Sequence, residues 1–342
     1  MSNSRPIETT GRRGFLSMMA GAGALGLMFA RSGSAATRKP LRGLFPIAQT
    51  PFAESGKLDL DSLVREVEFI DRGRVPGFVW PQKASEWSVL TEKERLEGTE
   101  AIASTGKKLR PAIVIGVQAP NVATAMKYAR HAEKAGADAI ISLPPRGQKD
   151  PNAVLDYYQQ VAKSVNLPMF AQTVDGISVD LLIRMFKSIP NLRYVKDEAG
   201  NPLERVSRLR RLSGDQVKVF AGNGVTMMIN EMELGFSGLC PAAWLADLYT
   251  EAWNLWFAGK HQQAADMFGR ILMVESMCRP AGPDSGKYIL CLRDVFKTYT
   301  WRSYAMFSPP GERSPHPIQH LDAQGKRWVR QALEFVKPYL RA

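Results

Sequence analysis

From Leu41 onward the chain repeats one alternation eight times: a short apolar or β-branched run, then a longer segment of helical period. The strand-like runs fall at 43–50, 77–81, 111–117, 139–143, 168–173, 192–196, 217–221 and 238–241, with helical segments such as 60–72, 121–136, 152–165 and 179–189 between them. Eight such units in about 210 residues are what a (β/α)8 barrel requires, since each parallel strand needs a crossover to bring the chain back. A doubly wound open sheet would call for a glycine-rich phosphate turn after its first strand, and none follows 43–50. The expected fold is therefore α/β: a (β/α)8 TIM barrel over 37–245 with a C-terminal helical extension over 246–342.

Chemistry in such barrels gathers where the strands end. The strand ends and the residues after them supply Gln49 and Thr50, Pro81 to Glu86, Gln118, Pro144 to Arg146, Gln172 and Thr173, Lys196 to Glu198, Gly222 to Gly224, and Pro241 to Trp244. Lys196 is the most informative of them. It closes the apolar run Leu192-Arg193-Tyr194-Val195 just before a glycine-containing loop. Desolvation at such a position favours the free amine, the form that attacks a carbonyl, so Lys196 is a candidate Schiff-base former. A solvated lysine at a strand exit is the commoner case for this residue type, and it is the barrel pattern that brings Lys196 to the functional mouth. Strand alternation puts Tyr194, Lys196 and Glu198 on one side and Val195 and Asp197 on the other, which makes Glu198 a proton-transfer partner for the amine.

Over residues 41–300 the chain resembles the dihydrodipicolinate synthase and N-acetylneuraminate lyase superfamily of Schiff-base aldolases. The resemblance rests on Thr50-Pro51-Phe52, Ser85-Glu86 followed by Leu90-Thr91-Glu92-Lys93-Glu94-Arg95, Ala135-Gly136-Ala137-Asp138, Val195-Lys196-Asp197 and Phe220-Ala221-Gly222-Asn223, in that order and spacing. It implies that Lys196 is the Schiff-base lysine and that the barrel assembles as a homo-oligomer, commonly a tetramer. It also implies a 2-oxo acid or related carbonyl compound as substrate, cleaved in an aldol reaction or dehydrated.

The departures from the family pattern fall on the proton machinery. The loop that usually reads Gly-Thr-Thr-Gly-Glu and holds the substrate carboxylate is here Gln82-Lys83-Ala84-Ser85-Glu86. The tyrosine that ends strand five is replaced by Gln172, followed by Thr173, and a second tyrosine falls at about Arg146. Three readings follow. Imine chemistry persists, with Glu198, or Glu86 through water, as general acid and base, and with Lys83 or Arg146 recognising a carboxylate. Alternatively or in addition, Gln49, Gln82 and Gln172 form an amide-rich wall for a polyhydroxylated or amide-bearing ligand. In the third, catalysis is lost and the barrel only binds a small carboxylate. An acid or hydroxyl within reach of the amine favours the first; a lysine locked in an ion pair with Asp197 or Glu198 favours the third. The candidate site is thus Lys196, Glu198 and Gln172 for catalysis, with Thr50, Lys83, Ala84, Ser85, Glu86, Arg146, Thr173, Gly222 and Asn223 for substrate binding.

Other features point away from metals and nucleic acid. His131, His261, His316 and His320 show no ligand spacing, and no nucleotide motif is present, so no cofactor is expected. Arg205, Arg208, Arg210 and Arg211 read as the solvated face of a helix. Trp80, Trp87 and Trp244 lie near the mouth. The net charge of +12 is spread along the chain, which suits anionic small molecules better than nucleic acid. Three cysteines, Cys240, Cys278 and Cys291, allow at most one bridge, Cys278 to Cys291 being the conceivable pair.

The N-terminus has the layout of an export signal over residues 1–36. Arg12-Arg13-Gly14-Phe15-Leu16 resembles the twin-arginine core, and an uncharged apolar stretch to Ala30 and the small residues Ser32 to Ala36 follow. Cleavage after Ala36, use of the twin-arginine machinery and a periplasmic or secreted location are the expectation, with retention as a membrane anchor the alternative. Beyond the barrel, 247–277 reads as two helices broken near Gly259, 288–299 as another helix, 308–317 as a proline-rich linker loop and 322–340 as a terminal amphipathic helix.

Overall fold

In the computed structural model the residues described are 39–174, 177–222, 225–303 and 313–342. The proposed export segment and Asn223 lie outside them. The barrel comprises β1 (Gly43–Leu44), α1 (Leu60–Arg72), β2 (Gly77–Trp80), α2 (Glu92–Gly106), β3 (Ala112–Gly116), α3 (Val122–Ala135), β4 (Ala139–Ser142), α4 (Pro151–Lys163), β5 (Met169–Thr173), α5 (Val179–Ser188), β6 (Leu192–Asp197), α6 (Pro202–Ser213), β7 (Lys218–Ala221), α7 (Met228–Glu233) and β8 (Gly238–Leu239). All eight strands are parallel, in the order β1-β8-β7-β6-β5-β4-β3-β2. Ile47 bridges both Val79 and Ala242 and so joins the two ends of the sheet into a barrel. Regular pairing in β1 stops early because Pro46 has no N–H to give; its carbonyl still accepts from Val79 N at 3.1 Å, and Ile47 N reaches Pro241 O at 2.7 Å.

Side-chain alternation sorts the strands into two cores. Leu44, Phe78, Trp80, Ile113, Ile115, Ile140, Ala171, Val195, Val219 and Leu239 face the surrounding helices, while Phe45, Val79, Val114, Ile141, Phe170 and Phe220 fill the barrel. Four rings close its lower part. Phe170 stacks on Tyr194 with centroids 4.5 Å apart, and Phe220 meets Phe45 edge to face at 5.2 Å. Strand register pairs Phe170 with Tyr194 and, two residues on, Gln172 with Lys196. The polar layer at the mouth thus sits one inward-facing position above an aromatic plug.

The helix boundaries follow from capping chemistry in the sequence. Asp59, Asn121, Asp150, Ser178 and Asn201 each accept a hydrogen bond from a first-turn N–H of their helix. Thr91 and Glu94 form a reciprocal capping box at α2, and Gly136 ends α3 with φ +94°.

After the barrel come α8 (Ala246–Phe257), α9 (His261–Cys278), α10 (Ser285–Leu292), β9 (Trp301–Ser303), β10 (Arg313–Ile318) and α11 (Ala323–Val336). Two expectations are corrected here. The helix expected at 288–299 is Ser285–Leu292, and the chain turns at Asp294 with φ +56°. The buried Arg293 side chain there is held by both oxygens of Asp247, at 3.0 and 2.6 Å, and by the Trp244 carbonyl at 2.7 Å. The proline-rich linker is in part a strand: β10 pairs antiparallel with β9, matching Arg313 to Ser303 and Ile318 to Trp301. Prolines survive there because a two-stranded ribbon has open edges where an N–H is not required.

The basic run of α6 is also only half solvated. Arg208 and Arg211 are exposed, as expected, but Arg205 grips the buried Asp197 and Arg210 donates to the Leu234 and Gly235 carbonyls. The three cysteines are free thiols, so the conceivable Cys278–Cys291 bridge is not formed. Among the described residues no helix is long and apolar enough to cross a membrane.

Candidate active site

Lys196 projects into the barrel mouth from the penultimate position of β6 and is 4% exposed. Its Nζ donates to Glu198 Oε1 at 2.6 Å, and Gln172 on the neighbouring strand donates from Nε2 to Glu198 Oε2. The chain has already left β6 at Glu198, yet it turns so that the side chain comes back over Lys196. Thr173 makes that turn. Its hydroxyl oxygen accepts from Glu198 N at 2.8 Å and Ala199 N at 3.2 Å and donates to Asp197 Oδ1. Asp197 points outward, as alternation requires, into the Arg205 side chain at 3.0 and 3.1 Å. Gly222 lies against the Glu198 side chain, and a Cβ there would overlap it.

The residues after β2 divide into support and lining. Ser85 Oγ donates to Ala48 O at 2.5 Å and accepts from Gln82 N at 3.0 Å, while Ser85 N closes onto Gln82 O at 2.9 Å. Thr50 donates to the Ser85 carbonyl and receives Trp80 Nε1 at 3.0 Å. Glu86 takes up a left-handed conformation, φ 53°, and turns away from the mouth. Its carboxylate is sunk under the C-terminal region, accepting from Lys287 Nζ at 2.5 Å, Arg302 N and Ser303 N at 2.9 Å, and Ser303 Oγ at 2.8 Å. Thr50, Ser85 and Glu86 therefore hold the loop, and Gln82, Lys83 and Ala84 are left at the mouth.

These residues line a cavity of about 890 Å³. Its barrel side is formed by Ile47, Gln82, Lys83, Ala84, Gln172, Lys196, Glu198 and Cys240; its other side comes from beyond the barrel and includes Trp244, Tyr249, Leu272, Cys278, Arg279 and Ile289. Arg146, expected to recognise a carboxylate, is exposed and does not line it. The side chains of Thr50, Ser85, Glu86 and Thr173 do not line it either. Gln49 is buried elsewhere, its backbone N–H on the Glu66 carboxyl at 2.9 Å, so the amide wall reduces to Gln82 and Gln172. Trp80 is fully buried against the helices, whereas Trp244 does face the cavity and donates to Glu275 Oε1 at 3.0 Å.

Burial sets the electrostatics around the cavity. It pushes the Cys240 thiol up to about 12, although Lys196 nearby works the other way, so this thiol stays protonated. Burial raises the Tyr249 hydroxyl too, with Glu275 and Glu231 adding to it. Glu231 on α7, 1% exposed and with no hydrogen-bond partner for Oε2 among the described residues, is raised by burial to about 7. Among the described residues no cluster of His, Cys, Asp and Glu could hold a metal ion. Cys240 and Trp244 were within reach of a strand-end reading; Tyr249, Glu275 and Arg279 carry no sequence signal, because only tertiary packing brings α8 and α9 to the mouth.

The family model for the dihydrodipicolinate synthetase family matches residues 40–303, most of the chain. This chain belongs to that family. A 4-hydroxy-tetrahydrodipicolinate synthase of Rhizobium meliloti is 30% identical over 193 residues, 55% of this chain and 65% of that protein. The match thus spans just under two thirds of that curated relative. An L-2-keto-3-deoxyarabonate dehydratase of Azospirillum brasilense is 26% identical over 232 residues, 65% of this chain and 75% of that one. Among solved structures, a dihydrodipicolinate synthase from Rhodopseudomonas palustris superposes with TM-score 0.75 at 21% identity, covering 86% of this chain and 97% of the other. An N-acetylneuraminate lyase from Mycoplasma synoviae does so with TM-score 0.72 at 19% identity and the same coverage. At these identities the superpositions establish the shared barrel fold, with its C-terminal helical part.

Proposed function

We propose that this family member is a Schiff-base lyase that cleaves or dehydrates a 2-oxo acid or related carbonyl compound through Lys196. The observation that carries the reading is the Lys196 amine at the cavity floor, 2.6 Å from a carboxylate. The names of the relatives, a synthase, a dehydratase and a lyase, support the reaction class. Transfer of a proton from the Lys196 ammonium to Glu198 leaves a neutral amine. Its lone pair attacks the substrate carbonyl carbon, and the carbonyl oxygen departs as water once protonated, leaving the imine. Glu198, steered by Gln172 and by the Thr173 turn, is then placed to return and accept protons, in place of the family's tyrosine. Thr173, Gly222, Ser85 and Glu86 act in this reading by positioning, and Lys83 supplies positive charge at the mouth.

The same short contact supports a second reading, in which Lys196 and Glu198 form a fixed ion pair and the barrel only binds a small carboxylate. Borohydride reduction of the protein incubated with pyruvate and with sugar-derived 2-oxo acids separates the two. A reduced adduct on Lys196, located by peptide mass spectrometry, is expected. A folded protein that gives none with any of them belongs to the silent reading. Assembly as a homo-oligomer and export through the twin-arginine machinery to the periplasm, supported by Arg12-Arg13 and the stretch after it, complete the proposal.

A further inference from the structure

The cavity lining that keeps accessible surface divides into a few charged groups and a larger apolar surface. Lys83 and Glu198 are partly buried on the barrel side, Glu198 against the Lys196 amine. Ala84, Val174, Ala242, Trp244, Leu272 and Pro283, also partly accessible, supply the apolar surface. The remaining polar groups of the outer side leave that surface uninterrupted in character. Ser285 is committed to the Cys278 and Gly282 carbonyls, Glu275 accepts the Trp244 N–H, and Tyr249 is buried. Thr226 and Arg279 are exposed, and the Arg279 charge acts on Glu275, four residues before it. The positive charge of Lys83 and Arg279 suits the carboxylate of a 2-oxo acid, so the reacting end keeps the class proposed above.

Trp244 is the largest of the apolar group, and it is held at three points. Its carbonyl accepts from Arg293 Nη1 at 2.7 Å and its Nε1 donates to Glu275 Oε1 at 3.0 Å. Its ring lies so close to Gly286, in the first turn of α10, that a Cβ there would overlap it. Glycine is a poor helix former, and α10 carries one where the indole needs the room. A side chain fixed in advance loses little freedom when a ligand packs on it, so Trp244 is a preorganised aromatic face. The cavity, about 890 Å³, falls in the range of about 300–1,000 Å³ that takes drug-sized ligands, far more than pyruvate fills. We infer that the substrate is a 2-oxo acid whose chain beyond the carbonyl carries a flat apolar group, an aromatic ring above all, resting on Trp244 within this apolar lining. This rests on the Schiff-base reading and narrows it. The covalent step is unchanged: the Lys196 nitrogen bonds to the carbonyl carbon and the carbonyl oxygen leaves as water.

The test uses the full chain and four 2-oxo acids that share the reacting end: pyruvate, 2-oxo-4-phenylbutanoate, 2-oxoglutarate with its second carboxylate, and a sugar-derived 2-oxo acid with hydroxyls along the chain. Each imine is reduced by borohydride hydride to a secondary amine, and the concentration giving half-maximal adduct on Lys196 is read by mass spectrometry. The phenyl compound is expected to half-saturate at a concentration about tenfold or more below each of the other three. Trp244→Leu is expected to shrink the phenyl-over-pyruvate ratio about tenfold, and Trp244→Phe to keep most of it. No preference for the phenyl compound, or 2-oxoglutarate or the hydroxylated acid as the best partner, overturns the inference and leaves the Schiff-base reading standing. A preference that Trp244→Leu leaves intact overturns the assignment to Trp244. No adduct with any of the four overturns both readings. The wild-type series decides the substrate class even if neither variant folds.

Discussion

At the scale of single residues the site is organised around Glu198, which receives both Lys196 and Gln172. If it carries the protons, Glu198→Gln should slow imine formation by about 10²- to 10⁴-fold while leaving the protein folded, measured as the rate of borohydride-trappable adduct. An unchanged rate would remove Glu198 from the mechanism. Glu231 gives a prediction of a different kind. Burial raises its carboxyl from 4.5 to about 7, so the folded chain binds this proton more tightly than the unfolded chain. Its contribution to stability is full below pH 4.5 and is lost as pH rises through about 7. Glu231→Gln should therefore flatten unfolding free energy against pH across that window, and the same slope in variant and wild type would refute the assignment.

Among the elements, the short turn after β2 shows how support and chemistry were divided. Its sequence suggests Lys83, Ala84, Ser85 and Glu86 as substrate contacts in one block, because sequence proximity does not tell which way each side chain points. The left-handed backbone at Glu86 sends that carboxylate to Lys287, which reaches it from α10 with both side chains fully buried. Lys287 also lies over the rings of Phe52 and Trp301, 4.8 and 4.4 Å from their centroids. Burial lowers the lysine's pKa and Glu86 opposes the shift. Glu86→Gln and Lys287→Met should each cost about 3–5 kcal/mol, because each strands a buried charge. The double variant should cost less than the sum of the two, read from denaturant midpoints. Additive losses would mean that the pair does not act as one unit.

For the whole molecule, the proposed destination is open to a direct test: the mature chain should be recovered from the periplasmic fraction beginning near Thr37, and Arg12→Lys with Arg13→Lys should retain it inside the cell. Equal export of that variant would exclude the twin-arginine route. The sequence by itself determined the barrel. Alternation of period 2 sorts inner from outer faces, capping residues mark the helix starts, and parallel strands joined by helices leave few other ways to bury both faces. It also placed Lys196 at the mouth, since strand periodicity is local, whereas Glu198 lies just beyond β6 and reaches the amine through the turn that Thr173 holds. Only the tertiary structure decided that Thr50, Ser85, Thr173 and Glu86 support the site, that β9 and β10 pair, and that α8, α9 and α10 complete the cavity. Those outcomes depend on contacts between residues up to 217 positions apart, such as Glu86 with Ser303, which no local pattern records.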